Sequence, residues 1–255
     1  MKALITGATS GIGKEIALVL AEMGIELVIA SRDEVAMAEL KELLKNKITV
    51  DTIKIDLSKE KSAKSLYETI INRGHKIDIL VNNSGFGLYG QTVNLDFELL
   101  EEMVILNCAS LTSLSRLFGK DMTSRGSGYI LNVASTASYQ PIPNFAVYSA
   151  TKSFVMSFSK ALHHELKRFG VRVTCLNPGP TETNFHKTAL AGVRFKLFKA
   201  KPKMSANEVA VIGIKAMFAG KSVVTAGLIN KIFSIILPLI PLSLVESFLR
   251  KNMKC

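Results

Sequence analysis

Along most of the chain, short runs rich in β-branched residues alternate with longer stretches of helical period. Residues 2–6, 25–31, 48–56 and 77–82 are apolar and bounded by turn formers. Residues 12–23, 34–45 and 59–72, between them, each carry one apolar and one charged face. Strand–helix alternation of this kind predicts a parallel sheet covered on both sides, because two parallel strands need a crossover long enough to be a helix. The pattern continues with a helix over about 96–118, a strand over 129–134, a helix over about 145–169 and a strand over 171–176. A helix over about 206–218 and a strand over 222–226 follow. No linker or repeat divides the 255 residues. The expectation is one doubly wound α/β domain over residues 1–255, with about seven parallel strands and helices on both faces.

The first turn of that alternation reads Thr6-Gly7-Ala8-Thr9-Ser10-Gly11-Ile12-Gly13. Glycines between a strand and a helix let the backbone turn sharply and approach a pyrophosphate, where helix amides and dipole favour an anion. The spacing is G-x-x-x-G-x-G, which differs from the usual G-x-G-x-x-G dinucleotide fingerprint.

A second stretch carries chemistry. In Tyr148-Ser149-Ala150-Thr151-Lys152 a phenol and an ammonium stand four residues apart, one turn from each other on one helix face. A free tyrosine ionises near pKa ~10, and a nearby lysine cation is expected to draw that value towards neutral. Ser135 ends the apolar run before this helix, so its hydroxyl can face Tyr148 across a pocket. Two hydroxyls converging on one point suit a carbonyl oxygen. An exposed tyrosine beside a solvated lysine has the same spacing, so the pair alone decides nothing.

Taken together, these motifs resemble the short-chain dehydrogenase/reductase family of about 250 residues. Its T-G-x-x-x-G-I-G motif matches residues 6–13, and its N-N-A-G motif appears as Asn82-Asn83-Ser84-Gly85, with Ser replacing Ala. Its catalytic Asn, Ser, Tyr and Lys fall on Asn107, Ser135, Tyr148 and Lys152, and its P-G segment on Pro178-Gly179-Pro180-Thr181-Glu182-Thr183. The resemblance runs from Met1 to about Asn184 and implies a Rossmann-type domain transferring hydride between nicotinamide and a carbonyl or secondary alcohol. It implies that Tyr148 is the acid/base, that Lys152 lowers its pKa and binds nicotinamide ribose, and that Ser135 polarises the carbonyl. Asn107 would hold a water in a proton relay. Gly7, Thr9, Ser10, Gly11, Ile12 and Gly13 would surround the pyrophosphate. Asp56, Leu57, Asn83 and Gly85 would line the adenosine, and Thr181 and Thr183 would meet nicotinamide and phosphate. At the end of the second strand Ser31 stands where an acid would select NAD, and Arg32 follows, which favours NADP. Family members pair the helices over 96–118 and 145–169, so a homo-oligomer, dimer or tetramer, is expected.

Cys108, Cys175 and Cys255 have no CxxC spacing, and Met1 leads directly into the first strand, which predicts a reduced, cytoplasmic protein. His163-His164 lacks a third ligand at metal spacing, so a surface or interface role is expected and no metal. The net charge of +11 is uneven, because residues 183–255 hold 12 Lys/Arg against 2 Asp/Glu. Residues 185–205, where relatives carry a variable substrate lid, interleave Lys and Arg with Leu, Val and Phe. Residues 227–255 form an apolar, basic tail interrupted by Pro238 and Pro241, which argues against a membrane span. That tail either packs over the substrate pocket or a subunit neighbour, or joins the lid in peripheral contact with an anionic membrane surface. Basic residues confined to this greasy third argue against a nucleic-acid partner. The expected function is an NADPH-dependent reductase of a lipophilic small-molecule carbonyl. A non-catalytic NADP-binding sensor or membrane-surface scaffold is the alternative, against which the intact Ser135, Tyr148 and Lys152 weigh.

Overall fold

The structure is a computed structural model that describes residues 1–183, 204–237 and 240. The lid expected over 185–205 therefore lies outside the described residues except for Met204 and Ser205, as does most of the tail beyond Leu237.

Five strands and the helices between them build the first half. β1 (Lys2–Thr6), β2 (Glu26–Ser31), β3 (Val50–Lys54), β4 (Ile79–Asn82) and β5 (Gly128–Val133) are followed by β6 (Val171–Asn177), β7 (Thr181–Glu182), β8 (Met204–Ser205) and β9 (Val223–Thr225). The helices are α1 (Gly11–Glu22), α2 (Glu34–Leu44), α3 (Ser62–Asn72), α4 (Phe97–Val104), α5 (Leu111–Arg125), α6 (Ala146–Lys167), α7 (Ala206–Phe218) and α8 (Leu228–Ile236). Seven strands form one sheet in the order β3-β2-β1-β4-β5-β6-β9, and every pairing in it is parallel. The expected doubly wound fold is thus observed. β7 and β8 make a separate two-stranded parallel ladder that the alternation did not foreshadow.

Alternation along each strand divides the core. Ala3 and Ile5 of β1, Leu27 and Ile29 of β2, and Ile79 and Val81 of β4 face Ile16, Leu20, Leu40, Leu44, Val209 and Ile214 from α1, α2 and α7. Leu4, Val28 and Leu80 point the other way, onto Leu66 and Ile70 of α3, Leu114, Phe118 and Met122 of α5, and Leu162 of α6. A strand buried on both faces needs this unbroken apolar run, and each such side chain contributes about 1.5–3 kcal/mol by leaving water.

The helix expected over 96–118 is not continuous. It opens into a π-helical turn, Ile105–Ser110, and then runs on to Arg125, ending at Gly126 with φ +68. π-helical turns cluster at functional sites because the extra residue re-aims a side chain. Here the turn contains Asn107.

The winding reverses between β1 and β4, since β2 and β3 lie to one side of β1 and the remaining strands to the other. Ligands of doubly wound sheets bind at the carboxyl ends of strands flanking such a reversal. Beneath that point a buried polar seam joins the layers. Asn82 Nδ2 donates to Asn132 Oδ1 (2.9 Å) and Ser115 Oγ (3.0 Å), and Asn132 Nδ2 donates to Ser159 Oγ (2.9 Å). β4 and β5 are thereby fixed to α5 and α6.

Candidate active site

The glycine turn after β1 is shaped by its neighbours. Gly7 and Gly11 adopt φ of +66 and +52, where a side chain is strained. A Cβ on Gly13 would overlap Asn83 Nδ2 and the Gly7 carbonyl, so only glycine lets α1 start this close to the loop. Asn83 Nδ2 donates to the Thr6 and Gly7 carbonyls (3.1 and 2.9 Å), while the amides of Asn83 and Ser84 both donate to Thr6 Oγ1 (3.1 Å each). Asn83, expected on the adenosine side, thus spends its side chain locking the loops after β1 and β4 together. Thr6 is a hub that sequence reasoning missed, although it sits inside the quoted motif.

Ser10 precedes α1 without a side-chain capping bond, and no acid occupies the first turn. Ser10 therefore leaves the first-turn amides uncapped by its own side chain, and no first-turn carboxylate repels an anion. Thr183 lies over this turn, with its methyl 3.0 Å from where a Gly11 Cβ would be. Thr181, buried, donates from Oγ1 to the Gly179 carbonyl (2.9 Å), and half-buried Ile12 packs into the core.

At the end of β2, Ser31 Oγ stands 3.3 Å from Thr9 Oγ1, which brings the glycine turn to the strand end. The Arg32 side chain is 65 % exposed, and its Nη1 is 3.8 Å from Asp56 Oδ2. Partial burial works to raise the Asp56 pKa, but hydrogen bonds from the Ser58 hydroxyl and amide, with Arg32 and Lys59 nearby, outweigh it and hold the carboxyl below its ordinary value. Leu57 is buried, and its carbonyl accepts from Ser110 Oγ (2.7 Å). Thr9, Ser31 and Arg32 around the β2 end, with the acid-free first turn of α1, form a donor set that suits the phosphates of a dinucleotide.

Asn107 comes from the π-helical turn and is almost wholly buried. Its Nδ2 donates to the Phe86 carbonyl (2.9 Å) and Thr151 Oγ1 (3.1 Å), and its Oδ1 accepts from the Phe86 amide (3.2 Å). A Cβ on Gly85 would stand 2.8 Å from Asn107 Oδ1 and 3.4 Å from Lys152 Nζ, so Asn107, Gly85 and Lys152 adjoin one another. Thr151 Oγ1 in turn donates to the Tyr148 carbonyl (2.8 Å), which ties the turn to α6.

Tyr148 and Lys152 are 7 % and 5 % exposed. The Lys152 ammonium donates to the Val133 carbonyl at the end of β5 (3.0 Å) and lies 5.8 Å from the Tyr148 ring centre. Ser135 Oγ accepts from the Ala137 amide (3.1 Å) as it caps the 3-10 turn Thr136–Tyr139. Its proton is left to point elsewhere, and Ser135 hydrogen-bonds Tyr148. The expected downward pull of Lys152 on the phenol is not what the site gives. Burial pushes the Tyr148 pKa up to about 12, and only the Ser135 hydrogen bond works against it. Burial also brings Lys152 down to about 8, partly countered by the nearby Cys175 and Cys108 thiols. The physical reason is that a pocket buried enough to hold both groups penalises charge on either.

The surroundings of Tyr148 are apolar. Met103, Ala137 and Phe145 pack with it, joined by Phe86, Leu88, Tyr89, Leu100 and Ile142. Phe145 meets the Tyr148 ring edge-on at 5.1 Å. His163, expected at a surface or interface, is instead buried between α6 and β6, with Nδ1 2.8 Å from the Val173 carbonyl. Among the described residues no three His, Cys, Asp or Glu side chains gather at metal-binding distance.

Comparison with known proteins agrees with this arrangement. The family model described as short chain dehydrogenase matches residues 1–193. An uncharacterized short-chain type dehydrogenase/reductase of Sinorhizobium fredii is 39 % identical over 77 % of this chain and 77 % of its own. Among solved structures, a short-chain dehydrogenase from Sphingobium yanoikuyae in complex with NADPH superposes with a TM-score of 0.82 at 28 % identity, covering 89 % of this chain and 88 % of that one. A bulky-bulky ketone specific alcohol dehydrogenase from Comamonas testosteroni gives a TM-score of 0.78 at 29 % identity, covering 93 % and 92 %. Sheet order, glycine turn and family model agree over three quarters of the chain, and the protein therefore belongs to the short-chain dehydrogenase/reductase family of nicotinamide-dependent oxidoreductases.

Proposed function

We propose that the protein is an NADPH-dependent reductase of hydrophobic carbonyl compounds, acting in reverse on the secondary alcohols, with Tyr148 as acid/base. The observation that carries this reading is the grouping of buried Tyr148 and Lys152 with half-buried Ser135, beside Asn107 and Gly85 and against an apolar cluster.

NADPH, when bound, supplies the hydride. Ser10, Gly11, Ile12 and Gly13 would receive the pyrophosphate at the start of α1, with Gly7 giving the loop its turn. Asp56, Leu57, Asn83 and Gly85 would border the adenosine, Lys152 the nicotinamide ribose, and Thr181 and Thr183 the opposite side. Thr9, Ser31 and Arg32 cluster where an extra ribose phosphate would sit, and they favour NADP over NAD.

The proton chemistry falls to the side chains. Because burial keeps the Tyr148 pKa high, the phenol carries its proton throughout the neutral range and can give it to an oxygen gaining negative charge. The Ser135 hydroxyl, with one lone pair engaged by the Ala137 amide, can donate to the same oxygen. Lys152 is positioned by Val133, and Asn107 holds the Phe86 loop against α6. The aromatic and aliphatic side chains around Tyr148 support a bulky, lipophilic substrate, in keeping with the bulky-bulky ketone specificity of the Comamonas testosteroni alcohol dehydrogenase.

The test is NADPH consumption over a panel of short ketones, steroids and acyl thioesters. Tyr148→Phe is expected to lower turnover of an accepted carbonyl by about 10²–10⁴-fold while NADPH binding stays measurable. Unchanged turnover in that variant refutes the assignment.

A further inference from the structure

α8 is built inside out. At about 100° per residue, Leu228, Ile229, Ile232, Ile235 and Ile236 fall within a stripe about 120° wide. All five are exposed, from 47 % for Ile236 to 74 % for Leu228. The opposite side is polar and turned inward. Half-buried Asn230 abuts Gly179 and donates to the Ala226 carbonyl (2.8 Å), and half-buried Ser234 donates to the Lys231 carbonyl (2.7 Å). Lys231 is exposed at the rim of the apolar stripe. This inverts the usual arrangement, in which a helix buries its apolar face against its own domain.

Length and charge select the occupant. Nine residues extend about 13.5 Å, well short of the ~30 Å hydrocarbon layer, so this helix can lie on a bilayer but not cross it. Its footprint is on the order of 150 Å², far below the ~800 Å² per partner of a stable protein interface, which disfavours a second copy. Residues 183–255 carry 12 Lys/Arg against 2 Asp/Glu. Lys199, Lys201 and Lys203 precede Met204 in the sequence. Met204 itself is held at the start of α8, its sulfur 2.8 Å from where a Gly227 Cβ would be. Arg250, Lys251 and Lys254 follow α8 in the sequence. Stable peripheral binding takes two signals, an apolar insertion and basic charge; the stripe supplies the first, and Lys231 with the strongly basic composition of residues 183–255 supports the second.

We propose that α8 lays its apolar stripe on an anionic lipid bilayer, with Lys231 at the rim of the stripe on the headgroups. α8 also packs against the Thr136–Tyr139 turn that follows Ser135. The helix, by the side opposite its stripe, thus adjoins the loop that carries Ser135.

The test is co-sedimentation of the full chain with mixed phosphatidylcholine–phosphatidylglycerol vesicles and with pure phosphatidylcholine vesicles. The wild type is expected to bind the anionic vesicles and to be released by salt. Ile232→Ser combined with Ile235→Ser, both at exposed positions, is expected to lower the bound-to-free ratio at least about 10-fold with an unchanged far-ultraviolet spectrum. The proposal is overturned if the wild type does not bind anionic vesicles at low salt. It is equally overturned by equal binding to both vesicle types, or by a double variant that binds as well as the wild type. Loss of a dimer mass in that variant without any vesicle binding would assign the stripe to a second copy of the chain instead. Binding is read without turnover, so its failure is distinguishable from failure of the reductase reading.

Discussion

Lys152→Met should stabilise the fold while removing activity. Burial lowers the Lys152 pKa from 10.5 to about 8, a cost on the order of 3 kcal/mol for holding the cation in the folded state at about 1.36 kcal/mol per pKa unit. Methionine has similar length and no charge. It leaves the Val133 carbonyl without the ammonium it accepts from (3.0 Å in the wild type), which costs back about 1–2 kcal/mol. The net is a gain of about 1–2 kcal/mol at pH 7, or a Tm rise of about 2–8 °C for a chain of this size. The sign with pH follows from linkage. The unfolded lysine keeps its proton up to about 10.5 and the folded one releases it near 8, so the unfolded state binds more protons between these values. Wild-type stability should therefore climb through that window by about 3 kcal/mol. The advantage of the methionine variant, at its full size below pH 8, should vanish within the window and become a deficit of about 1–2 kcal/mol near 10.5, where only the lost Val133 hydrogen bond remains. Thermal melts of both proteins from pH 7 to 10, followed by circular dichroism, read this directly. A lower Tm for the variant at pH 7, or a difference that does not change with pH, refutes the reasoning. A side chain kept at such a cost is what a site chosen for chemistry over stability would show.

Two other substitutions separate binding from folding. Arg32→Ala should weaken NADPH by about 10-fold, the equivalent of one charge-assisted hydrogen bond, and leave NADH nearly unchanged in fluorescence titrations; equal losses would discard the role of Arg32 in cofactor choice. Gly13→Ala forces a methyl into Asn83 Nδ2 and the Gly7 carbonyl, so overpacking and two weakened hydrogen bonds should cost about 2–4 kcal/mol and lower the Tm by several degrees; a melt within about 1 °C of wild type would mean that the loops after β1 and β4 are not locked as described.

Much of the fold could be read before any coordinates. The apolar runs of β1, β2 and β4 announce strands buried on both faces, and the amphipathic stretches between them announce crossovers, because periods of 2 and 3.6 are local properties. The glycine turn was legible for the same reason, since φ above zero at Gly7 and Gly11 is a demand that few other residues meet. The π-helical turn was not legible. Nothing in Ile105-Leu106-Asn107-Cys108 departs from a helical pattern, and the widening is held by Asn107 bonding Phe86 and Thr151, which are distant in sequence. The tail was half legible. Its greasy, basic composition was plain, but whether the apolar side faced the domain could not be known until Asn230 was found against Gly179.

The residues by themselves determined the alternation of elements, the parallel sheet and the short list of groups able to do chemistry, because these depend on spacing along a few turns of chain. Tertiary structure alone decided how those groups meet. It set Ser135 beside Tyr148, fixed Lys152 on Val133 and raised the phenol's pKa rather than lowering it. Burial is a property of everything packed around a side chain, and neighbours in space, unlike neighbours in sequence, exist only once the chain has closed.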